Sequence, residues 1–157
     1  MNKLIIIRGP LGIGKTTIAK KLAVELQAEY ISVDEVLRDN GLEKDEDYLA
    51  DDFIKVNKII IPKINKILEK QYVIVEGNFY FKEALEHLLK ETDSSTRIFT
   101  LKSSLATCLK RDAERENTLG PLATEAIYNL VNQFDYGINI DCKNGIKEVT
   151  EAIKNKI

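Results

Sequence analysis

Gly9-Pro10-Leu11-Gly12-Ile13-Gly14-Lys15-Thr16 decides how the rest of the chain reads. It fits G-x-x-x-x-G-K-[ST] at every fixed position. Each fixed residue has a chemical reason. Glycines let backbone N–H groups curl round a phosphate without Cβ clashes. A helix opening at Lys15 aims its free N–H groups and positive dipole end at the anion. Lys15 reaches the β- and γ-phosphates, and the Thr16 hydroxyl ligates magnesium. A glycine-rich turn capping a helix would explain the glycines, but it has no need of Lys15 and Thr16. The stretch therefore predicts a site for a nucleoside triphosphate with magnesium. Its phosphate-binding set is Gly9, Leu11, Gly12, Ile13, Gly14, Lys15, Thr16 and Thr17.

Outward from this loop, short apolar runs alternate with helical spacing. Leu4 to Arg8, Tyr30 to Val33, Tyr72 to Val75, Arg97 to Leu101 and Ile138 to Ile140 read as strands. Gly14 to Gln27 reads as a helix, with Ile18, Leu22 and Leu26 on one stripe. Tyr48 to Leu68 reads as a second helix, and Pro62 predicts a kink or break near Ile61. Phe81 to Lys90, Ser104 to Glu116, Leu122 to Phe134 and Ile146 to Ile153 complete the helices, with Gly120-Pro121 between two of them. This alternation predicts βαβ units and a parallel sheet covered on both faces.

The 157 residues suit one domain spanning 1–157. The 23 basic and 25 acidic residues leave a net charge of −2. That balance disfavours nucleic acid and anionic membranes as partners. The longest apolar runs fall short of the roughly 18 residues needed to span a membrane. Met1 to Arg8 lacks the long apolar core and small-residue cleavage site of a signal peptide. Cys108 and Cys142 are too few for a disulfide scaffold and read as inert thiols in a reducing cytosol. His87 reads as a surface histidine, and a single histidine builds no histidine-based metal cluster.

In open α/β sheets ligands sit beyond the carboxyl ends of the strands. Asp34 there fits two roles. It can cap a helix starting at Glu35, or it can accept the proton of an attacking hydroxyl. Arg38, one turn on, either faces the same pocket or makes a surface ion pair. Glu76 ends a buried strand, where an acid needs a partner, and magnesium is one candidate. Gly77 and Asn78 follow as either a tight turn or a substrate contact. Arg111 and Arg115 stand four apart on a predicted helix face. They either pair with Asp112, Glu114 and Glu116 or close over phosphates from a lid of about residues 111–122 hinged at Gly120-Pro121. The acidic run Glu43 to Asp47 reads as a solvated helix start or as a flap on the acceptor side.

Taken in order, these features resemble the small P-loop kinases of the shikimate-, gluconate- and adenylate-kinase type. The zeta-toxin-like and chloramphenicol-phosphotransferase-like branch is the most similar. The resemblance covers the whole chain; its loop is specific and its other motifs are loose. It implies a three-layer α/β fold around a five-stranded parallel sheet of order 2-3-1-4-5. It implies that Lys15 and Thr16 bind phosphate and magnesium from Mg-ATP, and that Asp34 deprotonates the acceptor hydroxyl. Arg38 and Glu76-Gly77-Asn78 would touch a small acceptor, Arg111 and Arg115 would form the lid, and the loop Asp141 to Asn144 would flank adenine, with Asn144 in the nucleotide site. Ser32 stands where shikimate kinases carry an acid, and adenylate kinases have a longer lid with more arginines. Both differences argue against those acceptors.

A second class stays open: a P-loop ATPase serving a protein or tRNA-modifying partner. An ATPase helper of tRNA modification shares the form G-x-L-G-x-G-K-T. The chain lacks N-K-x-D and D-x-x-G, which GTPases use, and the L-S-G-G-Q of transporter ATPases.

Overall fold

In β1 (Lys3–Arg8), Leu4 and Ile6 belong to one core and Ile5 and Ile7 to the other. All four are fully buried, so helices must cover both faces. The computed structural model of the chain describes residues 1–92 and 95–157.

The elements run β1, α1 (Lys15–Leu26), β2 (Glu29–Ser32), α2 (Val33–Asp39), α3 (Ala50–Leu68), β3 (Val73–Gly77), α4 (Lys82–Glu91), β4 (Ser95–Lys102), α5 (Leu105–Ala113), α6 (Pro121–Val131), β5 (Ile138–Asp141) and α7 (Ile146–Lys154). All sheet pairings are parallel, in the order β2-β3-β1-β4-β5. The expected fold class and strand order are therefore present. One core joins Ile5, Ile7, Phe99 and Leu101 to Ile18 and Leu22 of α1, Cys108 of α5 and Val149 and Ile153 of α7. The other joins Leu4, Ile6, Val73 and Val75 to Leu37 of α2, Val56, Ile60 and Ile64 of α3, and Leu85 and Leu88 of α4. Among the described residues no helix is long and apolar enough to cross a membrane.

Several expectations need correction. α3 runs unbroken through Pro62. Proline inside a helix costs about 3 kcal/mol. Val56, Ile60 and Ile64 are buried on the opposite stripe, and each contributes about 2 kcal/mol. Pro62 and Lys58 are exposed, so water can reach the carbonyl that Pro62 leaves unbonded. The acidic run 43–47 precedes α3 rather than starting it. β3 extends to Gly77, which places Glu76 inside the sheet. α5 stops at Ala113, so Arg115 lies beyond the helix. His87 is half-buried, with Nδ1 3.3 Å from Asn57 Nδ2. In keeping with the expectation of inert thiols, Cys108 and Cys142 are both buried and unpaired, and burial raises the Cys142 thiol to about 11.

Arg8 ends β1 directly before the loop and is fully buried. Its guanidinium donates to the Thr100 hydroxyl (3.1 Å) and to the carbonyls of Val131 (2.8 Å), Phe134 (3.3 Å) and Phe79 (3.4 Å). It also lies 4.5 Å over the Phe134 ring. Burial lowers its pKa to about 10, offset in part by Asp135. One cation thereby ties the C-terminal end of α6 to the sheet, where a helix dipole favours positive charge. Arg8→Met leaves three carbonyls without this donor, each costing about 1–3 kcal/mol. We expect a loss of about 3 kcal/mol or more in urea unfolding; an unchanged midpoint would show that water replaces the guanidinium.

Candidate active site

The loop between β1 and α1 wraps against α5. Gly12 adopts φ +75, and a Cβ there would lie 2.4 Å from the Cys108 carbonyl oxygen. No side chain fits, so the backbone of the loop rests on the backbone of α5. Gly14, the N-cap of α1, has no side chain to cap the helix. The first N–H groups of α1 thus point into open space at the carboxyl edge of the sheet.

That space is a cleft of about 370 Å³ lined by Leu11, Gly12, Gly14, Lys15, Thr16, Thr17, Asp34, Arg111 and Arg115. Lys15 is buried, and Nζ donates to the Pro10 carbonyl at 3.4 Å. Arg111 donates to the Ile13 carbonyl at 3.0 Å, which fixes it against the loop. Arg115 pairs with Asp112 at 3.4 Å. Asp112 is buried and also accepts from Thr118 at 2.7 Å. These bonds, the one to Thr118 foremost, hold its pKa below the usual carboxylate range. One carboxylate therefore shapes the segment between α5 and α6. Arg115 makes the bland ion pair that the sequence allowed, and it lines the cleft as well.

Asp34 sits in the first turn of α2, and Ser32 caps that helix by accepting from Glu35 N at 3.3 Å. The capping role foreseen for Asp34 belongs to Ser32. Asp34 instead lines the cleft and also a second cavity of about 650 Å³ beside it. Arg38, Asn78 and Arg115 line that second cavity too. Arg38 is exposed and lies 3.7 Å from Asp39. Asn78 keeps a buried Oδ1 with no partner.

Glu76 is 2% exposed, with Ser32 beside it on β2. Its Oε1 accepts from the Thr16 hydroxyl (2.8 Å) and the Tyr30 hydroxyl (2.9 Å). Its Oε2 is buried with no partner. Burial and the neighbouring Glu76 charge push the Tyr30 phenol well above its ordinary range, so it stays a donor. An orphaned carboxylate oxygen next to a threonine hydroxyl suits a hard cation that prefers oxygen. Among the described residues no group of three or more His, Cys, Asp or Glu could hold a metal. Magnesium bound mainly by phosphate oxygens and water needs no such group.

The remaining foreseen residues lie elsewhere. Gly9 and Ile13 are buried, and neither side of the cleft is formed by them. Gly77 packs inside the sheet, where a Cβ would lie 3.0 Å from a Val33 methyl. Asn144 is exposed between β5 and α7 and lines neither cavity. Sequence reasoning missed Arg8, Tyr30, Ser32 and Asp112. Ser32 carried a readable signal, being three residues before Glu35 at a helix start. The partners of the other three come from distant elements.

A profile of the AAA_33 family, an AAA domain, matches residues 4–134. The chain is 30% identical over 148 residues to a tRNA dimethylallyltransferase of Fusobacterium nucleatum, covering 77% of this chain and 49% of that protein. It is 35% identical over 150 residues to a cytidylate kinase of Saccharolobus islandicus, covering 88% of this chain and 76% of that protein. For several curated relatives the chain spans about half their length or less. A sugar kinase structure from Janibacter superposes with TM-score 0.82 at 15% identity, covering 99% of this chain and 94% of that one. A shikimate kinase from Aquifex aeolicus gives 0.66 at 21% identity, with 97% and 94% covered. At such identities the superpositions establish the shared fold.

Proposed function

The chain belongs to the AAA_33 family and to its small P-loop kinases, and from that premise we propose that it transfers the γ-phosphoryl of Mg-ATP to a hydroxyl of a small molecule. The observation that carries this reading is that Lys15, Thr16, Asp34, Arg111 and Arg115 border one cleft. A nucleotide switch needs the loop; it has no use for an unpaired carboxylate facing the phosphate site.

The acceptor oxygen forms a bond to the γ-phosphorus as the bond to the β-bridging oxygen breaks, and ADP leaves with the electron pair. Asp34 accepts the hydroxyl proton as attack proceeds. Lys15, Arg111 and Arg115 neutralise charge on the equatorial and bridging oxygens. Exposed N–H groups of the loop and α1 hold the β-phosphate. Asn78 and Arg38 orient the acceptor in the adjoining cavity. Gly9 and Ile13 shape the loop from beneath. Asn144, exposed on the loop after β5, is left to flank the base. Thr16 and Glu76 would hold magnesium, which when bound would supply further charge neutralisation on the phosphates.

Glu76→Gln keeps an acceptor oxygen for Thr16 and removes the charge. We expect the magnesium concentration for half-maximal binding of nucleotide to rise about tenfold or more, read by titration at fixed ATP. No rise would remove Glu76 from the magnesium site.

A coupled assay of ADP release tests the class of reaction. A kinase releases ADP at a rate that rises with added hydroxylic acceptor. Release that ignores every acceptor and rises with a macromolecular partner would overturn this reading. It would favour the second one, a P-loop module of tRNA modification, which the similarity to tRNA dimethylallyltransferase supports.

A further inference from the structure

The cavity beside the phosphate cleft has an uneven charge. Its lining holds three cations and three carboxylates: Arg38, Lys44 and Arg115 against Asp34, Glu43 and Asp45. Each cation already has an acid. Lys44 pairs with Asp52 at 2.7 Å, Arg115 with Asp112 at 3.4 Å and Arg38 with Asp39 at 3.7 Å. Asp52 and Asp112 do not line the cavity. Among the described residues the side chains of Asp34, Glu43 and Asp45 make no ion pair. The field inside the cavity is therefore negative, although a count of its lining residues gives zero.

The same lining is partly aromatic. It includes Tyr48, Phe53 and Tyr80. Phe53 is the hub, 5.3 Å from Tyr48 and 5.5 Å from Tyr80 in an edge contact. Lys44 Nζ lies 5.7 Å over the Tyr48 ring, so this wall already accommodates an ammonium group at its rim. Burial and nearby carboxylates push the Tyr80 phenol up to about 12, which keeps it neutral. Ring faces beside unpaired carboxylates attract a cation and oppose an anion. The cavity volume of about 650 Å³ leaves room for a molecule of drug size.

Resting on the kinase reading, we infer that the acceptor is a hydroxyl compound carrying an ammonium group. Its hydroxyl meets Asp34, and its positive end lies toward Glu43, Asp45 and the Tyr48–Tyr80 wall. Sugar acids and nucleoside monophosphates bring the wrong charge to this cavity.

Three alcohols of one skeleton test this: 2-amino-1-phenylethanol, 1-phenylethane-1,2-diol and mandelate, with gluconate and cytidine monophosphate beside them. Ligand-observed NMR on the protein loaded with magnesium and a non-hydrolysable ATP analogue gives each affinity. The ammonium compound should bind about tenfold tighter than mandelate, as expected for two or three exposed ion pairs. The gap should shrink toward unity in about 0.5 M salt and in Glu43→Gln/Asp45→Asn. Failure of the ammonium compound to bind above mandelate, gluconate or cytidine monophosphate overturns the inference. So does a gap that survives the double substitution. Phosphoryl transfer is followed on the same samples. Binding of the ammonium compound without transfer to any acceptor counts against the kinase reading and leaves the charge preference standing. Transfer to gluconate or cytidine monophosphate alone does the reverse.

Discussion

Lys15→Ala is expected to cut phosphoryl transfer by on the order of 10³-fold, the effect of removing one fixed charge donor from a transition state. In the folded protein Lys15 is 7% exposed, and its Nζ makes one long bond of 3.4 Å to the Pro10 carbonyl. A buried ammonium with so little to hold is poorly satisfied until an anion arrives. Its removal therefore costs little in stability and much in nucleotide binding. Circular dichroism and the melting temperature should hold close to wild type, while ATP affinity falls at least tenfold. A variant that keeps transfer would show that the loop is a structural turn. Neighbouring Arg111, bonded to Ile13 O, cannot replace Lys15, because its fork is fixed on the loop backbone.

The second large effect concerns Asp34. Asp34→Asn is expected to lower transfer by on the order of 10²-fold or more and to leave Mg-ATP binding nearly intact. The amide keeps the shape and hydrogen-bonding reach of the carboxylate but accepts no proton. Stability separates this role from capping. Ser32 makes the cap, so Ser32→Ala should cost about 1 kcal/mol, while Asp34→Asn should cost much less. Full activity in Asp34→Asn, with a drop in melting temperature, would return Asp34 to the cap role and leave transfer without a base.

Much of the fold was legible, because its causes are local. The octet from Gly9 fixed one strand, one loop and one helix. The alternation of apolar runs then fixed a parallel sheet, and each predicted strand lies within a residue or two of its observed range. Pro62 misled, since a local rule predicts a break where three buried side chains on the far stripe hold the helix. Helix ends misled too: Arg115 keeps helical spacing in sequence but lies past the end of α5. Of the residues lining the cleft, Lys15 and Thr16 were named by the motif, Asp34 by its strand-end position, and Arg111 and Arg115 by their spacing of four. Arg8 looked like the last residue of a strand; its meaning comes from carbonyls at 79, 131 and 134, brought together only by folding. Asp112 looked like one acid among several on a charged helix. Its role comes from the return of Thr118. Tyr30 gained its role when the pairing of β2 with β3 set it near Glu76. Long-range partners leave no spacing to read.

In this mechanism a phosphoryl group ends on a hydroxyl. ³¹P NMR of protein, Mg-ATP and pooled hydroxylic metabolites, including amino alcohols, tests this most directly, with Lys15→Ala as control. We expect a new phosphoester resonance that grows as the γ-phosphate of ATP disappears and is absent with Lys15→Ala. ADP and inorganic phosphate alone, released equally with and without the pool, would contradict it.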